Sequence, residues 1–322
     1  MKAILVQEVG DPDVLQIVDL PTPQPGPGEA RVKIEVAGLN FIDTYHRRGW
    51  YSLPLPFTPG IEGAGVVDAV GKGVTEVAAG DAVVYGGPIG SYTEYAVVPA
   101  DVLVKRGDGV DAQLGAAAMV QGLAAHYLAC STYPLKPGDT CLVHAAGGGV
   151  GALLVQVAKL RGARVIGVAL GKEKERVAQE AGADATIRYI EGDFDQKVRD
   201  LTDGEGVEVV YDSVGADTFE RSLDCLKPLG TMVLFGQASG VVPAVDPQIL
   251  YQKGSLFLTR PSLASYVPTR EALLSRVNDI FAWIAEGSLK IRIDSTFPLD
   301  DARGAHSHLE SRQAKGKVLL TI

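Results

Sequence analysis

The stretch Thr140 to Gly171, TCLVHAAGGGVGALLVQVAKLRGARVIGVALG, constrains this chain more than any other. Cys141 to Ala145 is apolar enough for a short buried strand, Ala146 to Gly151 is glycine-rich, and Gly151 to Leu160 opens a helix that stops at Gly162. Leu153, Leu154, Val157 and Leu160 fall near helical spacing, and a second apolar run, Arg164 to Ala169, follows. The order is strand, glycine turn, helix, strand. A tight turn at a helix N-terminus leaves N–H groups without intrahelical partners at the positive end of the helix dipole, which suits a pyrophosphate. In the window Ala146-Gly147-Gly148-Gly149-Val150-Gly151, Gly148 and Gly151 match the second and third glycines of G-x-G-x-x-G, and Ala146 replaces the first. A dinucleotide site is the first expectation.

With 322 residues the chain has enough material for a large core and for two domains. Hydrophobic residues at 46% with 21% charged residues are the balance of a soluble globular protein. The net charge of -9 disfavours nucleic acid and anionic membrane as partners. No basic leader with an apolar run opens the sequence and no apolar run is long enough to span a bilayer, so a cytoplasmic location is expected. Cys130, Cys141 and Cys225 are scattered through apolar segments, the pattern of buried free thiols rather than of disulfides or a metal site.

Residues 1 to about 110 read as β structure. The runs Lys2 to Val9, Ala30 to Ala37, Gly63 to Val70, Asp81 to Tyr85 and Tyr92 to Val98 are short, rich in valine, isoleucine and tyrosine, and separated by glycine and proline. Such spacing predicts a barrel or partly open β domain. Asp111 to Ala129 turns helical and reads as a connection. From Thr140 to Arg260 strands and helices alternate, and six strands with helices between them predict a doubly wound parallel sheet, with ligand at the carboxyl ends of the strands. Two further helices, Arg270 to Ala285 and Asp300 to Arg312, precede a final strand-like run, Lys317 to Ile322, which is expected to return to the β domain.

The segments VAGLNFIDTYHRRGWY (36 to 51), PGIEGAGVV (59 to 67), HAAGGGVG (144 to 151), VVYDSVG (209 to 215), KGSLFLTRPSL (253 to 263) and LESR (309 to 312) together carry a resemblance. The chain resembles the zinc-free quinone oxidoreductases, the zeta-crystallin-like group of the medium-chain dehydrogenase/reductase superfamily. The resemblance implies an α/β protein: a GroES-like β-rich catalytic domain over 1–124, a Rossmann cofactor-binding domain over 125–262 and a return to the catalytic domain over 263–322. It also implies that Asn40 and Ile61 stand where zinc-dependent relatives hold their catalytic metal with a cysteine and a histidine. An amide and an alkyl chain do not replace a thiolate and an imidazole around zinc, so no metal is expected.

An NAD enzyme usually carries Asp or Glu at the end of the second Rossmann strand to meet the ribose hydroxyls. Here Leu170 and Gly171 occupy that place, followed by Lys172 and Lys174, and cations pair with a 2′-phosphate. The resemblance carries Lys174, Tyr189 and Arg312 onto positions around that phosphate, so NADPH is the expected cofactor. Ala146, Gly147, Gly148, Gly149, Val150 and Gly171 are the other expected contacts on this side, with Ser213, Val214, Phe235 and Gly236 toward the nicotinamide. Where relatives commonly carry Thr, in the segment matching Gly122-Leu123-Ala124, this chain has Ala124.

By the same carry-over Asn40, Asp43 and Tyr45 are the candidate catalytic residues, and Tyr51 and Arg260 the candidate cleft wall. A flat quinone suits such an aromatic, polar-tipped site. The expectation is an NADPH:quinone oxidoreductase that moves hydride without a metal and assembles as a homodimer through the sheet edge near Ser255 to Thr259. The alternatives are a reductase of conjugated 2-enoyl C=C bonds, or a nucleotide-regulated RNA-binding or crystallin-like protein.

Overall fold

The computed structural model describes residues 1–107, 109–189 and 193–322. They form two compact units: Met1–Gln121 with Val267–Ala285 and Ile291–Ile322, and Gly122–Tyr266 with Glu286–Lys290.

The first unit opens with a hairpin, β1 (Lys2–Leu5) and β2 (Gln16–Asp19), followed by β3 (Glu29–Leu39), α1 (Phe41–Arg47), β4 (Glu62–Val70), β5 (Ala82–Gly86), β6 (Tyr95–Pro99), β7 (Val104–Lys105) and α2 (Ala112–Tyr127), whose residues from Gly122 on belong to the second unit. β3 is the strand on which the unit is built. From Ala30 to Ile34 it alternates, with Ala30, Val32 and Ile34 buried while Lys33 and Glu35 face out. From Val36 to Leu39 every residue is buried, so that end is covered on both faces. A short helix starts immediately after it. The reading of residues 1 to 110 as β structure passed over α1, whose seven residues lie between two valine-rich strands and show less than two turns of periodicity.

The second unit contains β8 (Thr140–Val143), α3 (Gly149–Leu160), β9 (Arg164–Ala169), α4 (Gly171–Glu180), β10 (Ala185–Arg188), α5 (Phe194–Leu201), β11 (Val207–Asp212), α6 (Phe219–Asp224), β12 (Leu226–Leu234), α7 (Gln248–Gln252) and β13 (Phe257–Thr259). Its sheet is parallel throughout, in the order β10-β9-β8-β11-β12-β13. Doubly wound α/β is therefore the observed class. Leu142, Ile166, Val210 and Met232, one from each of four adjacent strands, pack with Phe194, Phe219 and Leu223 of the helices. The strand order reverses between β8 and β11, and the loops after these two strands lie at the point where such sheets bind ligands.

The chain then forms α8 (Leu263–Tyr266), α9 (Arg270–Ala285), β14 (Ile293–Pro298), α10 (Ala302–Glu310) and β15 (Lys317–Thr321). The last strand does return to the first unit: β15 pairs antiparallel with β3 and parallel with β14, completing the order β14-β15-β3-β4-β5-β7 with β6 also on β3. β14 has no counterpart in the sequence reading, because its residues are half-buried or exposed and lack a clean apolar alternation. Among the described residues no helix is long and apolar enough to cross a membrane.

Candidate functional site

Two glycines of the turn after β8, Gly147 and Gly151, have no room for a side chain. A Cβ on Gly147 would lie 2.7 Å from Lys174 Cα, and one on Gly151 would lie 2.8 Å from the Ala145 carbonyl carbon and 2.9 Å from Ala146 Cα. All of these neighbours are backbone atoms. Ala145 takes a left-handed conformation at φ 50 and its carbonyl accepts the Gly148 N–H at 2.8 Å, which folds the turn under the first residues of α3. Gly148 is the helix N-cap, and its carbonyl accepts the Ala152 N–H at 3.0 Å. The N–H groups of the turn between them are those a helix leaves without intrahelical partners. This cradle of bare backbone at the positive end of a helix fits a diphosphate. Ala146 in the place of the first glycine is accommodated from the other side: its Cβ packs where Gly167 of β9 has none.

Gly147 also brings the start of α4 onto the turn, so Lys174 sits beside the cradle. Gly171, at φ 78, makes the bend from β9 into α4, and Leu170 before it is half exposed. The Tyr189 N–H donates to the Ala169 carbonyl at 2.8 Å, which places Tyr189 at the same edge as Gly171. These residues come together at the carboxyl ends of β9 and β10.

A second assembly lies at the ends of β11 and β12. Asp212 Oδ1 accepts the N–H groups of Val214 at 2.7 Å and Gly215 at 3.1 Å. Asp212 Oδ2 accepts the hydroxyls of Thr218 at 2.7 Å and Ser222 at 2.9 Å. Because the Ser222 hydroxyl donates to Asp212, the His144 Nε2 at 2.9 Å donates to Ser222, and burial holds this imidazole below its ordinary pKa. Residues His144, Asp212 and Ser222 thus form a chain that shapes the Ser213–Gly215 turn, with the serine in the middle. In a nucleophilic triad the histidine would stand between the other two. Gly236 packs on Ser213, with no room for a Cβ, and the Phe235 N–H donates to the Asp212 carbonyl at 2.8 Å. Arg260 donates to the Leu234 carbonyl at 2.9 Å, beside the same turn. The sequence points to the turn residues, but the polar chain behind them is visible there only as three separated residues, His144, Asp212 and Ser222.

In the first unit, Asn40 caps α1 at the doubly covered end of β3. Its N–H donates to Asp43 Oδ2 at 2.8 Å, and the Tyr92 hydroxyl donates to the same oxygen at 3.2 Å. Its side-chain amide is held by two residues that sequence reading did not single out, Glu62 at the start of β4 and Lys317 at the start of β15. Tyr45, one turn along α1, is buried; its ring stacks on Trp50 at 5.5 Å and meets the edge of Tyr51 at the same distance. Arg47 closes the helix, fully buried, with bonds to Glu310 and His306 of α10. Arg312 belongs to this unit too, just beyond α10, in a left-handed conformation at φ 59. Ile61 is buried beside Glu62. With the Lys317 ammonium already on the Asn40 oxygen and the Glu62 carboxylate, the donors here do not fit a metal ion. Among the described residues no group of three or more His, Cys, Asp or Glu side chains is disposed to hold one.

Burial pushes the Asp43 carboxyl up to about 7, against the lowering effect of the Asn40 N–H and the Lys317 charge. A carboxyl raised in the folded protein destabilises it once ionised, so this penalty is absent at low pH, grows as pH rises from 4 to 7, and is full above. Asp43→Asn keeps an acceptor for both hydrogen bonds and carries no charge. Relative to wild type it is expected to gain about 2–3 kcal/mol of stability between pH 5 and pH 8. Urea unfolding at the two pH values measures this; a stability difference independent of pH would show that Asp43 titrates normally.

Two family models match the chain: the alcohol dehydrogenase GroES-like domain over residues 26–108 and the zinc-binding dehydrogenase over residues 149–269. The second begins at the glycine turn, and both Asn40 and Ile61 lie outside it. A quinone oxidoreductase of Pseudomonas aeruginosa is 46% identical over 99% of each chain. A 2-haloacrylate reductase of a Burkholderia species is 39% identical over 99% of this chain and 98% of its own. The crystal structure of Escherichia coli quinone oxidoreductase complexed with NADPH superposes with a TM-score of 0.98 at 43% identity, covering 100% of both chains.

Proposed function

The chain belongs to the quinone oxidoreductases of the medium-chain dehydrogenase/reductase superfamily, and from that premise we propose that it is a zinc-independent NADPH:quinone oxidoreductase. The observation that carries the proposal is the glycine cradle followed by Leu170 and Gly171 where a ribose-binding carboxylate would stand. NADPH, when bound, supplies a hydride from its nicotinamide ring. Gly147, Gly148, Gly149 and Val150 hold the diphosphate, and Lys174 and Tyr189 meet the 2′-phosphate. Ser213, Val214, Phe235 and Gly236 shape the nicotinamide end, kept in place from behind by Asp212.

For the acceptor we assign Asn40, Asp43, Tyr45 and Tyr51 of the first unit. A quinone is already a strong electrophile, so these residues have to orient it rather than activate it. A steady-state screen of NADPH oxidation against benzoquinone, naphthoquinones and enones, repeated with NADH, tests the reading. Quinone turnover with a preference for NADPH is expected. Turnover of enones alone would favour the second reading, a reductase of conjugated C=C bonds, which the 2-haloacrylate reductase relative supports.

Lys174→Ala is expected to lower kcat/KM with NADPH about tenfold or more and to leave the value with NADH unchanged, since only the 2′-phosphate loses a charged partner. Equal losses with both cofactors would remove Lys174 from phosphate recognition. We also propose a homodimer through β13, the edge strand, whose Phe257 is 61% exposed. Light scattering that finds only a 33.9 kDa species would rule it out. Dependence on NADPH agrees with the cytoplasmic location expected from the sequence.

A further inference from the structure

Lys317 and Glu62 form an ion pair in which both side chains are 0% exposed. The Lys317 ammonium donates to Glu62 Oε2 and, at 2.9 Å, to Asn40 Oδ1. Glu62 Oε2 in turn accepts the Asn40 side-chain N–H at 2.8 Å, and Glu62 Oε1 accepts the backbone N–H of Val120. The Asn40 amide is therefore gripped at both ends by opposite charges. Turning it over would face its N–H groups to the ammonium and its oxygen to the carboxylate, so only one orientation is allowed. Gly38 provides the room: a Cβ there would lie 2.7 Å from Glu62 Cδ and 2.8 Å from Lys317 Cε.

Stability alone is a weak reason for such a pair. Replacing a fully buried ion pair by neutral groups of similar volume is often neutral or stabilising, because desolvation of both charges offsets their attraction. What the charges add is direction. Asn40 is also the N-cap of α1, and its backbone N–H is held by Asp43. The amide orientation and the first turn of the helix are thus set together, one turn before Tyr45 and its contacts with Trp50 and Tyr51.

We propose that the Lys317–Glu62 pair is a positioning device for the acceptor: it orients the Asn40 amide and, through the first turn of α1, places Tyr45 and Tyr51 against the quinone. The proposal rests on the quinone reductase reading. Lys317 and Glu62 act through Asn40 and touch neither acceptor nor cofactor.

Lys317→Met alone strands a buried carboxylate and is expected to fold poorly, so the deciding protein is Lys317→Met/Glu62→Gln. A glutamine at position 62 keeps an acceptor for the Val120 N–H and presents an N–H where Glu62 Oε2 stands. Asn40 then turns its amide over to accept it. The double variant is expected to melt within about 5 °C of wild type and to bind NADPH, by fluorescence titration, within about twofold. Its kcat with benzoquinone is expected to fall about tenfold or more. A folded double variant with wild-type kcat, whatever its melting temperature, would overturn the proposal and leave the pair a purely structural one. Wild-type protein assayed in parallel separates the two readings: absence of benzoquinone turnover there would overturn the quinone reductase assignment, and this inference with it.

Discussion

Gly151→Ala is expected to weaken NADPH binding at least about a hundredfold, which is roughly 2.7 kcal/mol. The added methyl would meet the Ala145 carbonyl carbon at 2.8 Å and Ala146 Cα at 2.9 Å, both backbone atoms with no rotamer to escape into. Either α3 must lift away from the turn, or Ala145 must leave its left-handed conformation and give up the Gly148 N–H. Both movements withdraw the helix N-terminus from the diphosphate. Gly147→Ala fails for a related reason, since its methyl would meet the α4 backbone at Lys174. Gly148→Ala provides the contrast: its nearest neighbour, the Ala145 oxygen, is 3.2 Å away and its backbone is extended, so a loss of only a few-fold is expected. Titration of NADPH fluorescence across the three variants measures the series. Binding by Gly151→Ala within threefold of wild type would mean that the diphosphate does not rest on this turn.

The same glycines explain how much was legible in the sequence. A glycine demanded by the approach of another backbone leaves a local trace, and with β8 and α3 on either side it revealed the turn. The parallel sheet was equally legible, because its central strands are short apolar runs and β8 and β9 are each followed by a helix long enough to show its own periodicity. α1 was less so, although Asn40 and Asp43 give the polar spacing of a helix start. The Glu62–Lys317 pair left no local signal at all. The two residues are 255 positions apart, and a lysine at the head of an apolar strand reads as a solvated edge until β15 is seen to lie against β3. His144, Asp212 and Ser222 were hidden in the same way, their connection made by the parallel pairing of β8 with β11.

Arg47→Met is expected to cost about 3–5 kcal/mol of stability, the range for removing one partner of a buried charged network. Arg47 is fully buried, and its guanidinium serves three residues at once, one in the loop after β1 and two on α10. It donates to the Gly10 carbonyl at 3.0 Å, to His306 Nδ1 at 3.0 Å, and to both oxygens of Glu310 at 2.9 and 3.0 Å. Methionine fills much of the volume and satisfies none of these acceptors. Glu310 suffers least, because Arg48 remains 3.0 Å away and the carboxylate is 17% exposed. His306 suffers most: burial, with the Arg47 charge adding to it, pushes its pKa down to about 3, so the imidazole stays neutral and its Nδ1 is left as a buried acceptor without a donor. Arg47→Met/His306→Leu removes that acceptor as well and is expected to recover a substantial part of the loss. A histidine held neutral also makes wild-type folding weaken as pH falls from about 6.5 toward 3, because only the unfolded chain takes up the proton. The double variant lacks this contribution, so its deficit relative to wild type narrows on acidification. Urea unfolding of the wild-type, single and double variants at pH 7.5 and pH 5 measures all three effects. A single variant within 1 kcal/mol of wild type would show that α1 is held by its N-terminal cluster alone, and that the Arg47 contacts to α10 add nothing to the fold.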